Sequence, residues 1–179
     1  MTFYVTRHGQ TEWNAENKVC GITDIALTEK GIAQAGELAE QVKEKDIEII
    51  ISSPMKRAVT TSRIVSEKCQ IPMMIDNRLV EQNYGVYEGV DRSDELFLVN
   101  KKNFAYKYPN GESMMQVAVR VYTFLDEIKK QYGGKNVLIV SHGGVCRIIK
   151  TYFSDMTNKE FFHYTLENCK IEEYHICKT

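Results

Sequence analysis

The sequence predicts an α/β fold, a three-layer α/β/α sandwich around a mostly parallel central sheet. Two patterns predict it. Phe3–Thr6, Ile47–Ser52 and Val137–Ser141 are short, nearly continuous apolar runs with β-branched residues, the pattern of strands covered on both faces. Helical periodicities lie between and after these runs, so strand and helix alternate along the chain. With 179 residues and no internal repeat or linker, residues 1–179 read as a single domain, with a short helical insertion near 90–110.

Leu27, Ile32, Ala35, Leu38, Ala39 and Val42 share one face of a helix opening near Thr28. A second helix is expected to open at Ser53-Pro54, serine as N-cap and proline at the first helical position. Ser113-Met114-Met115-Gln116 is a capping-box pattern and opens a third helix. That helix turns Val117, Val121, Leu125 and Ile128 inward and stops at Gly133-Gly134. A fourth follows His142-Gly143-Gly144, and Lys170–Cys177 alternates weakly, as an edge strand would.

Composition narrows the function classes. Lys and Arg number 23 against 24 Asp and Glu, a net charge of −1 that argues against a broad basic surface for nucleic acid or anionic membrane. A local positive pocket stays compatible with it. No apolar run is long enough to span a bilayer, and Arg7 and His8 interrupt the N-terminal segment too early for a signal peptide. Five cysteines, an odd count with no C-x-x-C pair, suggest reduced thiols in a cytoplasmic protein rather than a disulfide framework or structural zinc.

Parallel sheets bind ligands outside the carboxyl ends of their strands. Here those ends carry Arg7-His8, Ser52 to Arg57, and His142-Gly143. If they converge, two imidazoles and two guanidiniums face one pocket, an assembly that calls for an anion. Guanidinium forks and helix N-termini suit phosphate oxygens, and the arginines supply the charge that a metal supplies elsewhere. A neutral imidazole is a competent nucleophile toward phosphorus, provided its other ring nitrogen donates to a fixed acceptor such as a backbone carbonyl. The leaving oxygen needs a proton, and Glu81 is the best donor candidate, with Glu88 as the alternative. Glu81 is expected in a partly apolar or anion-influenced setting.

These residues carry a resemblance. Arg7-His8-Gly9-Gln10-Thr11-Glu12-Trp13-Asn14 is similar to the signature of the histidine phosphatase (phosphoglycerate mutase-like) superfamily. The resemblance continues through Leu27-Thr28-Glu29-Lys30-Gly31, Ser52-Ser53-Pro54-Met55-Lys56-Arg57-Ala58, Glu81 to Glu88-Gly89, Asn110-Gly111-Glu112-Ser113 and Ser141-His142-Gly143-Gly144, in the family's order. It implies that His8 becomes phosphohistidine, that Arg7, Arg57 and His142 bind the transferred phosphoryl group, and that Glu81 is the acid/base. Asn14, Thr11, Gly21 and Gly143 resemble further substrate contacts. Cys20 departs from the hydroxyl residue often found before Gly21.

The resemblance covers phosphatases and mutases. Only about twenty residues separate Gly89 from Asn110, short of the insertion that the resembling mutases carry, which favours an open, hydrolytic site. Tyr84 is mutase-like, but Gln82 stands where mutases place an arginine for the substrate carboxylate. The expectation is a metal-independent phosphomonoesterase with no cofactor, acting on a small phosphorylated metabolite and binding neither nucleic acid nor membrane. A cofactor-dependent phosphoglycerate mutase and a catalytically idle phosphate-binding module are the alternatives. Among substrates, α-ribazole phosphate, phosphoserine, phosphoglycerate and sugar phosphates stay open. The stretch Phe104–Tyr108 is either packing or a substrate lid, and His163 and His175 are read as ordinary.

Overall fold

The computed structural model describes residues 1–176, so Cys177, in the expected tail strand, lies outside the described residues. The chain runs β1 (Thr2–Arg7), α1 (Glu12–Ala15), α2 (Glu29–Lys43), β2 (Ile49–Ser52), α3 (Lys56–Cys69), β3 (Met73–Ile75), α4 (Glu95–Lys101), α5 (Met114–Gln131), β4 (Val137–Ser141), α6 (Gly143–Phe153), α7 (Asn158–His163) and β5 (Ile171–His175). The sheet order is β3-β2-β4-β1-β5, parallel throughout except for β5, which pairs antiparallel with β1.

Register explains the two buried faces. Phe3 pairs with Val137 and Val5 with Ile139, and these side chains join Ile51 beneath α5 and α6. Tyr4 pairs with Leu138 and Thr6 with Val140; Tyr4, Leu138 and Val140 join Ile50 beneath α2 and α3. Alternate residues of each strand therefore serve opposite layers. Val117, Val121, Leu125 and Ile128 of α5 are buried as expected, and Ser113 and Gln116 form the capping box.

Two helical expectations are corrected. α3 starts at Lys56, two residues beyond the expected Pro54, and its N-cap Met55 makes no side-chain cap bond. Ser53 does not cap because its hydroxyl partners His142 Nε2 at 2.7 Å, although Met55 N–H also reaches it at 3.4 Å. On α2, Gly31, Ala35, Leu38, Ala39 and Val42 are buried, but Ile32 is 50% exposed. It lies beside the buried stripe, in a shallow surface groove with Ile64.

A third, smaller core forms where the 84–108 segment folds back: Val19, Tyr87, Phe97 and Tyr108 are buried against Tyr84, Val90 and Tyr106. Phe97 stacks on Tyr108 with ring centroids 6.1 Å apart, while Tyr84 and Tyr87 meet Tyr108 edge-on. Of the 104–108 stretch, Tyr108 and Tyr106 therefore pack here, and Phe104 packs edge-on against Phe161 of α7.

Candidate active site

Adjacency of β2, β4 and β1 brings three carboxyl ends together. His8 follows β1, Ser53 follows β2 with Arg57 one turn into α3, and His142 follows β4. The His8 and His142 rings lie 5.1 Å apart. A cavity of about 150 Å³ opens over them, lined among others by Arg7, His8, Asn14, Cys20, Glu81 and Gly143.

His8 is fixed by its own turn. Its Nδ1 lies 2.7 Å from the Gly9 carbonyl, so Nδ1 carries the proton and Nε2 keeps its lone pair. Burial, then the Arg57 and Arg7 guanidiniums, hold its pKa well below the usual histidine range, so the ring is neutral near pH 7. The turn is fastened from the far end of the chain: Asn168 Nδ2 donates to the His8 carbonyl at 2.6 Å, and Cys169 N–H donates to the Arg7 carbonyl at 2.9 Å.

Arg57 and His142 form the layer behind. Arg57 is wholly buried and donates from Nε to His142 Nδ1 at 3.2 Å, from Nη1 to the Thr23 carbonyl at 2.8 Å and from Nη2 to the Gly21 carbonyl at 2.6 Å. Because Nδ1 accepts, His142 Nε2 carries the proton and donates to Ser53 Oγ. Neither side chain lines the cavity, although each terminal nitrogen of Arg57 keeps a second N–H. His142 is likewise held well below its ordinary pKa, by burial and then by Arg57. Arg7 does line the cavity, and its buried Nε has no partner.

Glu81 is 5% exposed at the mouth of α6, where Gln82 N–H donates to one carboxyl oxygen at 2.8 Å and Gly144 N–H to the other at 3.0 Å. Gly144 is required there, since a Cβ would stand 2.5 Å from Glu81 Oε1. Glu88 is committed elsewhere. Its carboxylate accepts from the backbone N–H groups of Gly21, Ile22, Thr23 and Tyr84 at 3.0 to 3.3 Å. That ties down the loop whose carbonyls hold Arg57.

The remaining sequence candidates divide. Asn14 and Gly143 line the cavity. Thr11 caps α1, its hydroxyl accepting from Asn14 N–H and its own N–H donating to Asn14 Oδ1, so it reaches the site through Asn14. Gly21 reaches it through its carbonyl on Arg57, and does not line the cavity. Among the described residues, no group of three His, Cys, Asp or Glu side chains is placed to hold a metal ion.

The profile of the histidine phosphatase superfamily (branch 1) matches residues 3–178. The chain belongs to that superfamily. It is 32% identical over 180 residues to a Hydrogenobacter thermophilus protein provisionally named phosphoserine phosphatase 2, an alignment covering 97% of this chain and 88% of that one. It is 39% identical over 151 residues to the probable phosphoglycerate mutase GpmB of Enterobacter sp., covering 80% and 70%. Among solved structures it resembles the phosphoserine phosphatase of Entamoeba histolytica in complex with 3-phosphoglyceric acid, with a TM-score of 0.84, 29% identity and coverage of 96% and 89%.

Sequence reasoning missed part of the wall of this superfamily site. Arg92, Lys101, Arg147, Phe97, Phe162, His163, Tyr164 and Thr165 also line the cavity. His163, read as ordinary, stands at the rim on α7. The one available signal was Arg147, five residues after His142 on the helix that opens at the site.

Proposed function

We propose that this protein is a metal-independent phosphomonoesterase that hydrolyses a small phosphorylated metabolite through a phosphohistidine on His8. The observation that carries this reading is the His8 Nδ1–H bond to the Gly9 carbonyl, which leaves Nε2 unprotonated on the cavity wall beside a guanidinium with an unpartnered N–H.

Nε2 attacks phosphorus as the P–O ester bond breaks. Glu81, as the carboxylic acid, gives its proton to the departing alkoxide oxygen. Arg7, the second N–H groups of Arg57 and the N-terminus of α6 at Gly143 stabilise the charge on the equatorial oxygens, while His142 accepts from Arg57 Nε and orients that guanidinium from behind. Asn14 touches the same group, with Thr11 and Gly21 supporting from behind. Glu81, now the carboxylate, takes a proton from water as that oxygen attacks phosphorus and the P–N bond breaks. Phosphate leaves and neutral His8 is restored. Guanidinium charge does the work that a divalent metal would do, so no metal enters the cycle.

Hydrolysis is favoured over mutase chemistry by Gln82. It is 1% exposed and donates from Nε2 to the Glu112 carbonyl, turned into the fold and away from the cavity where a mutase arginine would hold substrate. The names of the relatives support both activities within one chemistry. Residues 1–179 are taken to act as one domain, with the 90–110 insertion at its mouth. A cytoplasmic setting fits the four described cysteines, all free thiols, and no helix among the described residues is long and apolar enough to cross a membrane.

Rapid quenching during turnover of p-nitrophenyl phosphate should trap an acid-labile, base-stable phosphoenzyme that is absent from His8→Ala, with rates unchanged by chelator. No turnover across a broad ester panel would favour the idle binding module. Rapid conversion of 3-phosphoglycerate to 2-phosphoglycerate without phosphate release would favour the mutase.

A further inference from the structure

Asn110-Gly111-Glu112-Ser113 lines no part of the catalytic cavity, and capping α5 occupies Ser113 alone. Glu81, by contrast, lines the cavity from irregular backbone: residues 81–84 belong to neither a strand nor a helix. Such a segment has no ladder to fix it, so its buried carbonyls need partners elsewhere. They find them on α5 and at the end of β4. Arg120 of α5 donates from Nη1 to the Arg78 and Val80 carbonyls, both at 2.6 Å, and from Nη2 to the Glu81 carbonyl at 3.3 Å. Ser141 Oγ donates to the Leu79 carbonyl at 2.8 Å. Side chains therefore hold every carbonyl from Arg78 to Glu81.

Glu112 holds Arg120 in turn. Its carboxylate accepts from Arg120 Nε at 3.3 Å and from Nη2 at 3.2 Å, a fork between two mostly buried side chains. The same carboxylate accepts from the Asn83 N–H at 3.0 Å. The Glu112 backbone N–H donates to the Asn83 carbonyl at 2.8 Å, and its carbonyl accepts from Gln82 Nε2 at 3.0 Å. Gly111 permits this close approach, since a Cβ there would stand 2.4 Å from the Asn83 carbonyl oxygen. Arg120 thus grips the chain up to Glu81, Glu112 grips it just beyond, and the pair is locked together.

The Glu81 carboxyl takes its hydrogen bonds from two backbone N–H groups, and one of them, Gln82, belongs to the gripped segment. We propose that Arg120 and Glu112 are positioning residues for the acid/base, setting how far the Glu81 carboxyl reaches toward the leaving oxygen. This rests on the phosphomonoesterase reading and extends it to two side chains that line no part of the cavity. Proton transfer needs its heavy atoms within hydrogen-bond reach, so a small shift of the Glu81 backbone costs rate wherever the proton matters. The effect is confined to the acid/base. Among the described residues, neither side chain bonds to the His8 turn or to the 21–23 loop that holds Arg57.

The test compares p-nitrophenyl phosphate, whose leaving group needs little proton assistance, with glycerol 3-phosphate, whose alkoxide needs it. Arg120→Lys keeps the charge and loses the fork. It should lower kcat on glycerol 3-phosphate by about ten-fold or more and on p-nitrophenyl phosphate by under about three-fold, with both KM values little changed. Glu112→Gln should move the ratio the same way. In the Glu81→Gln protein, Arg120→Lys should cost nothing further on glycerol 3-phosphate, because the group it positions is gone. Ile128→Val, further along α5 in the first core, loosens the same helix and should leave the ratio unchanged. Equal losses on the two esters, additive losses in the double variant, or a ratio that Ile128→Val moves as far would overturn the proposal. A readout without turnover is the NMR resonance of the Gly144 amide proton, which the Glu81 carboxyl accepts. In Arg120→Lys it should move toward its position in Glu81→Gln, and an unmoved resonance would also overturn the proposal. If it moves while wild-type protein releases no phosphate from any ester, the phosphatase reading falls and the positioning of Glu81 stands.

Discussion

At the inner end of the cavity, His8 Nδ1, both nitrogens of His142 and the guanidinium of Arg57 each have a partner within the fold. At the mouth, Arg92 and Arg147 each make one side-chain hydrogen bond, and Lys101 makes none among the described residues. The inner group sits on strand ends and helix starts of the main sheet. The outer group sits on the 84–108 segment and on α6, roofed by α7. A reacting group must be held to within a fraction of an ångström, so it is built on rigid elements. The 84–108 segment at the mouth stands instead on a small core of its own.

The largest expected effect would break this comparison if it failed. His8→Ala should lower turnover of an aryl phosphate by about 10⁴-fold or more, with the circular dichroism spectrum unchanged. A loss under ten-fold would mean that the inner group is not the reacting one. Next, Glu81→Gln should slow alkyl phosphates by about 10²- to 10⁴-fold and activated aryl phosphates far less, since a good leaving group needs little proton assistance. Equal losses on both would give Glu81 another role. Glu88→Gln sharpens the contrast between the two carboxylates: it should lower kcat by about ten-fold through the loop that positions Arg57, with no dependence on leaving group.

At the mouth the expected effect is on stability. Phe97 is 4% exposed in the third core, and Phe97→Ala should cost about 3 kcal/mol in urea denaturation. A still smaller effect tests the inner group by pH. His8 and His142 are buried with pKa values held well below the ordinary 6.5. Below that value the unfolded chain binds protons that the folded one refuses. Stability should therefore fall as pH drops from about 6.5 toward the depressed folded values, and this contribution should be flat above it. Urea midpoints at pH 7.5 and 5.5 measure this, and His142→Asn should flatten the dependence.

How much of this was legible in the sequence follows the same division. Three of the four parallel strands announce themselves as apolar runs. β3, only Met73–Ile75 and on the sheet edge, has no such run to show. Thr28 and Ser113 announce helix starts because their hydroxyls do cap. Ser53 misleads because its hydroxyl is taken by His142, and no local pattern reveals a partner 89 positions away. His8, Arg7, Arg57 and His142 could be found because strand ends of a parallel sheet converge. That Arg57 and His142 stand behind the wall, gripping each other, depends on side-chain geometry alone. Arg92, Lys101 and Arg147 come from elements with no shared motif, and only the folded 84–108 segment and α6 bring them to one space.

The clasp on the turn after β1 has a consequence for how this protein comes into being. Asn168 and Cys169 hold the backbone of His8 and Arg7, and β5 zips along the strand that precedes them. The backbone that carries this imidazole has no clasp until a segment 160 positions further along the chain has docked against it. The site is thus a late product of folding, complete only once the two remote segments have met.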